Sequence, residues 1–373
     1  MTGSPPKWFY AWALWMALGA AVGWVSLNRT HFPESLPARD PRPALSGNGQ
    51  WLAVEWPRLD TAHRDVLRYH LDSGSMERIQ RGFHGRPVND SSFHPTLDRS
   101  GQRMAFSSLA TDWVSGDDNS VSDIFLWEAD RVQRLLPPHP EPGRSASYSP
   151  RLSPQGDRLA FLSYGWPGSN KEQGRQVCLW SSNEVRLLGP FSGPALGPVA
   201  FPPQAGEPTL TAFGPWGQLK PRFGLVSDGL AMLPTWPHPT YQPARAEHAC
   251  FFVSSPGRHH QIYELAEGKA EPRLITQSTS GEEGNDSSFE PACSASGQQL
   301  VFTSYAGNLG ANQGSHILLW QRGQGLRCLS QGLAGPHFHP AISEDGARVV
   351  WMANQQVYLW EQERGRRRLL PPP

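Results

Sequence analysis

The chain has 373 residues, 33 Lys+Arg against 33 Asp+Glu, and no formal net charge. That balance excludes the basic stripe that a nucleic-acid partner requires. With 37 Gly and 36 Pro beside 15 Trp, 16 Phe and 8 Tyr, the composition is not that of a disordered chain, which is poor in aromatics. It is that of many short strands joined by tight turns.

Residues 8–27 read WFYAWALWMALGAAVGWVSL, without a charge. As a helix rising about 1.5 Å per residue, the segment spans about 30 Å, enough to cross a bilayer core. Trp8, Tyr10 and Trp24 fall near its ends, where amphipathic rings favour the interface, and Lys7 precedes it. The segment is predicted to be a transmembrane signal anchor, with residues 1–7 as a cytoplasmic tail. A cleaved signal peptide is the alternative, with the small residues Gly19, Ala20, Ala21 and Gly23 offering a cleavage site. A buried core helix fits the flanking Pro-rich sequence poorly. Anchor and signal peptide alike export the remainder. Residues 28–43 are rich in Pro and Arg without periodicity and read as a linker.

Cys178, Cys250, Cys293 and Cys328 are scattered, with no CxxC pair and no metal spacing. Export permits disulfides, but the spacing selects no pairing. The run Arg364, Arg366, Arg367, Arg368 reads as the solvated edge of a terminal strand.

From residue 44 onward the sequence repeats. Four segments carry one apolar tetrad, IFLW at 124–127, VCLW at 177–180, ILLW at 317–320 and VYLW at 357–360. Each follows a turn and strand: LDRSGQRMAFSS, LSPQGDRLAFLS, CSASGQQLVFTS and ISEDGARVVWMA, with turn glycines Gly101, Gly156, Gly297 and Gly346. Weaker copies begin at LSGNGQWLAVEW (45–56), AFPPQAGEPTLTAF (200–213) and EHACFFVS (247–254). One copy reads as four strands, and such a sheet must stack on neighbours, so closing the set into a ring removes the bare ends. The expected fold is all-β: a seven-bladed or six-bladed β-propeller over residues 44–373, preceded by one N-terminal transmembrane helix. The repeated Trp is expected to pack between blades.

Pro95–Ser107, Pro150–Ser163, Pro291–Ser304 and Pro340–Trp351 resemble the TolB-like β-propeller repeats of bacterial exported proteins. The family's Asp before the turn glycine is kept only as Asp345; Ser100, Gln155 and Ser296 stand elsewhere. The resemblance implies a propeller and a place in the envelope, not an activity, because one fold hosts many functions.

Three groups of residues are candidates for chemistry. The loop DWVSGDDNSVSD gathers Asp117, Asp118, Asn119 and Asp123, oxygen donors suited to Ca²⁺, although without EF-hand spacing. The same residues also make ordinary turn-capping bonds. NDSSFHP at 89–95 and NDSSFEP at 285–291, in phase with HFHP at 337–340, place Asn89, Asp90, His94, Asn285, Asp286, His337 and His339 at one end of the ring. There they would bind a peptide or sugar, or simply build the turn that opens each blade. His337 and His339 alternate on one strand face, a pair without a third metal ligand. No Gly-x-Ser-x-Gly elbow, P-loop or GxGxxG occurs. The sequence therefore predicts no catalytic residues and no cofactor, with Ca²⁺ the one ion the Asp loop would suit. The expected role is a non-catalytic protein- or ligand-binding module on the outer side of the cytoplasmic membrane, with an envelope protein or glycan as partner. The alternative is a lyase or hydrolase acting on polysaccharide or peptide in the channel.

Overall fold

The computed structural model describes residues 42–369 apart from 59–60, 138–144, 164–175, 189–194, 215–221, 228–229, 232–235 and 311–313. The predicted anchor and residues 28–41 of the linker lie outside the described residues. Among the described residues no helix is long and apolar enough to cross a membrane.

The described residues form seven four-stranded antiparallel sheets, each built from four strands consecutive in sequence. In chain order the sheets occupy residues 44–79, 92–135, 147–188, 195–231, 240–274, 288–328 and 337–369. The first strands of successive sheets lie beside one another and the fourth strands lie outermost. The axis of the ring is therefore lined by the first strands.

Strand alternation explains why each sheet needs two neighbours. In sheet 2, Phe106 packs with Ala53 and Val66 of sheet 1, while adjacent Ala105 packs with Leu159 and Phe161 of sheet 3. Sheet 6 repeats the arrangement, with Phe302 toward sheet 5 and Val301 toward sheet 7. Successive side chains leave opposite faces of a strand, so one apolar run feeds two interfaces. The tetrad tryptophans Trp127, Trp180, Trp320 and Trp360 are all buried in the interface with the preceding sheet. They are packing residues, as their repetition suggests. Sheets 7 and 1 close the ring through Val350, Met352 and Leu359 against Leu52, Val54 and Leu67. Among the described residues no strand is exchanged across this seam. Arg348 reinforces it, donating from Nη1 to the Gly49 carbonyl at 2.9 Å and pairing with Asp72.

One end of the ring is tied by Ser-x-x-Gly turns, with Asp98 in place of Ser before Gly101. Gly101, Gly156, Gly297 and Gly346 hold φ of +73°, +73°, +67° and +77°, a region open to glycine at little cost. A Cβ on Gly101 would enter the Trp51 ring. The side chain five residues before the first strand residue accepts its amide: Ser153 Oγ from Arg158 N at 3.0 Å, Ser294 Oγ from Gln299 N at 3.1 Å and Ser343 Oγ from Arg348 N at 3.0 Å. The turns also bond one another. Asn48 N donates to Arg99 O at 2.9 Å, Arg99 N to Pro154 O at 2.8 Å, Glu247 N to Ala295 O at 2.8 Å, Ala295 N to Glu344 O at 2.9 Å and Glu344 N to Gly47 O at 2.8 Å. Arg99 then crosses the axis. Its Nε meets Glu344 Oε2 of sheet 7 at 2.5 Å, and its Nη2 donates to Pro203 O beyond the first strand of sheet 4 at 2.9 Å.

Candidate functional site

Away from the turns, the first strands share a distortion. His94, Ser149, Gln242, Glu290 and His339 have φ of 53°, 54°, 46°, 56° and 55°. Each is followed by proline and preceded by a half-buried aromatic: Phe93, Tyr148, Tyr241, Phe289 or Phe338. The strand register shifts beside these residues in sheets 2, 3, 5, 6 and 7. Proline cannot donate to a ladder, so a bulge is where a strand tolerates it. The residue before it is displaced into the left-handed region at roughly 1–2 kcal/mol. Non-glycine residues held this way at five equivalent places re-aim five side chains along the ring.

Neighbouring sheets hold the bulges. His94 N donates to Glu55 Oε1 at 2.9 Å, Glu290 N to Gln242 Oε1 at 2.9 Å and His339 N to Glu290 Oε2 at 2.8 Å. The His339 ring adds Nδ1 to Glu290 Oε1 at 2.6 Å, and Thr303 Oγ1 donates to Glu290 Oε2 at 3.2 Å. The first strand of sheet 1 is only Ala44–Leu45, and Glu55 from the next strand supplies the acceptor instead.

These groups share one electrostatic neighbourhood. Burial alone would raise the Glu290 carboxyl, but the hydrogen bonds and charge of His339 outweigh it and hold the pKa at about 2. Burial pushes the His94 imidazole down to about 4, helped by the charges of Arg42, Arg151 and His339. Burial likewise brings Arg151 down to about 10, with Arg42 lowering it further and Glu290 opposing. Buried Glu55 is raised by desolvation, against the lowering pull of the His94 amide, Arg64 and Arg42. Thus residues of sheets 1, 2, 3, 6 and 7, with Arg42 before sheet 1, influence one another's charge.

The residues singled out in the sequence divide sharply. His94 and His339 reach the axial cluster. Asn89 instead clasps a loop of its own sheet, donating from N to Asp112 Oδ1 at 2.9 Å and from Nδ2 to Thr111 Oγ1 at 2.9 Å. Asn285 makes the equivalent bond, N to Asn308 Oδ1 at 2.9 Å. Asp90 and Asp286 accept the amides of Ser91 and Ser287, each at 2.6 Å, and face His63 and His259 at 3.2 and 3.4 Å. These four residues form the turns that open sheets 2 and 6 and do not converge.

His337 does not share a face with His339, because the bulge intervenes. Its side chain is fully buried, accepts from Trp351 Nε1 at 3.3 Å and stacks on His316, and burial pushes its pKa down to about 4. In the Asp loop, Arg134 Nη2 lies 3.0 Å from Asp117 and 2.5 Å from Asp123, and Asn119 Nδ2 donates to Asp123 Oδ2 at 3.3 Å. Asp118 is exposed and apart. A guanidinium thus fills the position between the two buried carboxylates. Burial still raises Asp123 to about 6. Among the described residues no group of three or more His, Cys, Asp and Glu is arranged to hold a metal ion.

Sequence reasoning passed over Glu290, Gln242, Glu55, Arg42 and Arg151. A signal existed for two of them: aligned on their prolines, SFHP, SYSP, TYQP, SFEP and HFHP place every bulge residue immediately before Pro.

No family model matches the sequence, and no curated protein does. Solved structures match the fold. The β-propeller domain of the Trilobed protease from Pyrococcus furiosus, described as having an open velcro topology, is 11% identical with a TM-score of 0.61, over 88% of this chain and 97% of that one. An oligogalacturonate lyase from Vibrio parahaemolyticus is 10% identical with a TM-score of 0.57, over 84% and 88%. A puromycin-hydrolyzing peptidase from Mycobacterium tuberculosis is 15% identical with a TM-score of 0.60, and this chain, matched over 89% of its length, covers 53% of it. At these identities the likeness is one of architecture, and the chain is a β-propeller.

Proposed function

We propose that the protein is an exported, membrane-tethered propeller of the TolB-like kind, with each of the seven sheets as a blade, that binds a ligand at the bulge ring around its axis. The observation that carries this reading is the row of bulges in five sheets, which brings Glu290 and His339 of neighbouring sheets together at 2.6 Å and sets each bulge beside a half-buried aromatic. Polar groups meeting within an aromatic surround are the usual makings of a ligand site. The uncharged N-terminal segment supports the tether, and the neutral chain supports an envelope protein or glycan partner over nucleic acid.

The Glu290–His339 pair favours a second reading, a lyase or hydrolase. A carboxylate and an imidazole 2.6 Å apart, near the neutral imidazole of His94, are groups suited to proton transfer. Among the structural neighbours are peptidases and an oligogalacturonate lyase.

The test is to purify the full chain from membranes and identify what accompanies it, beside a turnover assay on polysaccharide and peptide panels. Binding alone predicts a co-purifying ligand lost in Glu290→Gln and no turnover. Turnover abolished by His94→Asn or Glu290→Gln would establish the enzyme. Recovery of the full chain in the soluble cytosol would end the tether and the export together.

A further inference from the structure

Arg103, Arg158 and Arg348 each open the second strand of their sheet, in sheets 2, 3 and 7. In sheets 2 and 7 the register sets a glutamate opposite, Glu128 against Arg103 and Glu361 against Arg348. Both guanidiniums are satisfied there. Arg103 donates from Nε to Glu128 Oε1 at 2.8 Å and from Nη1 to Gly156 O of the next sheet at 2.9 Å. Arg348 Nη2 lies 3.3 Å from Glu361 Oε1, and its Nη1 donates to Gly49 O at 2.9 Å. In sheet 3 the residue opposite Arg158 is Ser181, which brings no charge. Sheet 4 presents the Phe201 ring, 5.7 Å from the guanidinium, where the other two arginines meet a turn carbonyl. Among the described residues Arg158 makes no side-chain hydrogen bond, and its one ion-pair contact is Asp157 at 4.0 Å. Asp157 is mostly exposed and accepts instead from Ser153 Oγ at 2.8 Å. The Arg158 side chain is only 15% exposed, and a guanidinium so far removed from water needs a partner.

The residue before Ser181 departs from the repeat as well. Trp127, Trp320 and Trp360 each lie under an arginine of the preceding sheet: Arg68 at 4.6 Å, Arg273 at 5.5 Å and Arg327 at 5.9 Å from the ring centre. In sheet 2 the register position of Arg327 is held by Gln133, and among the described residues no cation covers Trp180. Its Nε1 is buried without a hydrogen-bond partner. These departures fall together. Arg103, Arg158, Trp180, Ser181, Ser182 and Asn183 line one cleft of about 360 Å³, within the size range of small-ligand sites. Its rim is the exposed two-residue turn of Ser182 and Asn183, with φ of 49° and 64°. The cleft lies at the turn end of sheets 2 and 3, away from the bulges.

We propose that this cleft is a second binding site, for a sugar acid whose carboxylate meets Arg158 where the sister sheets place a glutamate. The planar fork of a guanidinium suits a carboxylate in two-point contact. Ser181, Ser182 and Asn183 offer hydroxyl and amide groups that can both donate to and accept from sugar hydroxyls. Trp180 supplies an apolar wall. The site is separate from the bulge ring and does not depend on the reading of that ring.

The test is thermal unfolding of the full chain in detergent at constant ionic strength, with glucuronate raised to about 100 mM beside glucose and acetate. Glucuronate should raise the midpoint by roughly 2–4 °C with a logarithmic concentration dependence, and glucose and acetate should give much smaller shifts. Arg158→Gln should abolish the response. Ser181→Glu restores the glutamate of the sister sheets, so it should raise the midpoint without ligand and also abolish the response. Glu290→Gln, at the bulge ring, should leave the response unchanged. No response to glucuronate, an equal one to glucose or acetate, or one that survives both Arg158→Gln and Ser181→Glu would each overturn the proposal. A response lost only in Glu290→Gln would belong to the bulge ring, overturning this site while supporting that one.

Discussion

The two ends of the first strands use the same repeat in opposite ways. At the turn end the repeated backbone bonds recur from sheet to sheet. Serines cap the strands, glycines take the positive φ, and backbone bonds such as Ala295 N to Glu344 O at 2.9 Å run from turn to turn. At the bulge ring the repeat fixes only the backbone, and the side chain changes from sheet to sheet: His94, Ser149, Gln242, Glu290, His339. Identity among copies marks what the ring needs to stand. Divergence at a conserved geometry marks what it can be used for. His94 Nδ1, buried without a hydrogen-bond partner among the described residues, lies on the divergent side.

That contrast can be broken by substitution. The largest loss of stability should come from the turn end. Gly101→Ala places a Cβ inside the Trp51 ring at a φ of +73°, and should cost about 2–4 kcal/mol in denaturant unfolding. A cost below about 1 kcal/mol would show that the turns are not the rigid element.

Next in size is the acid response of the buried histidine. His337, held near 4 against about 6.5 for an unfolded histidine, stays neutral in the fold while the unfolded chain takes up a proton. Its depressed pKa therefore costs nothing above pH 6.5 and destabilises progressively from pH 6.5 down to 4. The penalty at pH 4 is on the order of 1–3 kcal/mol. His337→Asn should flatten this part of the stability–pH curve. Asp123, raised to about 6, acts with the opposite sign, its protonated form favouring the fold at low pH, and Asp123→Asn should steepen the acid loss. Unfolding midpoints at several pH values decide both.

Smaller still is the loop clasp. Asn89→Ala removes the bond to Thr111 at 2.9 Å and should cost about 1 kcal/mol. It should leave ligand binding unchanged if that residue belongs to the scaffold alone. The smallest stability change is expected from the ring itself. Arg151→Gln removes a half-buried guanidinium that makes no ion pair among the described residues, so the unfolding free energy should stay within about 1 kcal/mol of the parent. A large loss would mean that Arg151 is a structural group.

How far the sequence alone carried the reading follows the same division. The sheets were legible because their determinants are local and repeated, Gly at the turn and LW on the third strand. The degenerate copies near residues 200–213 and 247–254 also fold as four-stranded sheets. The site was half legible. His94 and His339 drew notice as histidines, whereas Glu290 and Arg151 gain their significance only from neighbours on other sheets. Asn89, Asp90, Asn285 and Asp286 looked functional because the residues that close a turn are the same types that bind ligands. His337 and His339 were separated by a bulge that strand periodicity does not foresee.

The most direct test of the account sets one end against the other in the full chain purified from membranes. Glu290→Gln alters the bulge ring, and Glu344→Gln alters the matching carboxylate of the turn end. The account predicts that co-purifying ligand is lost from the first variant and retained by the second. Loss from Glu344→Gln with retention by Glu290→Gln, or equal retention by both, would contradict it.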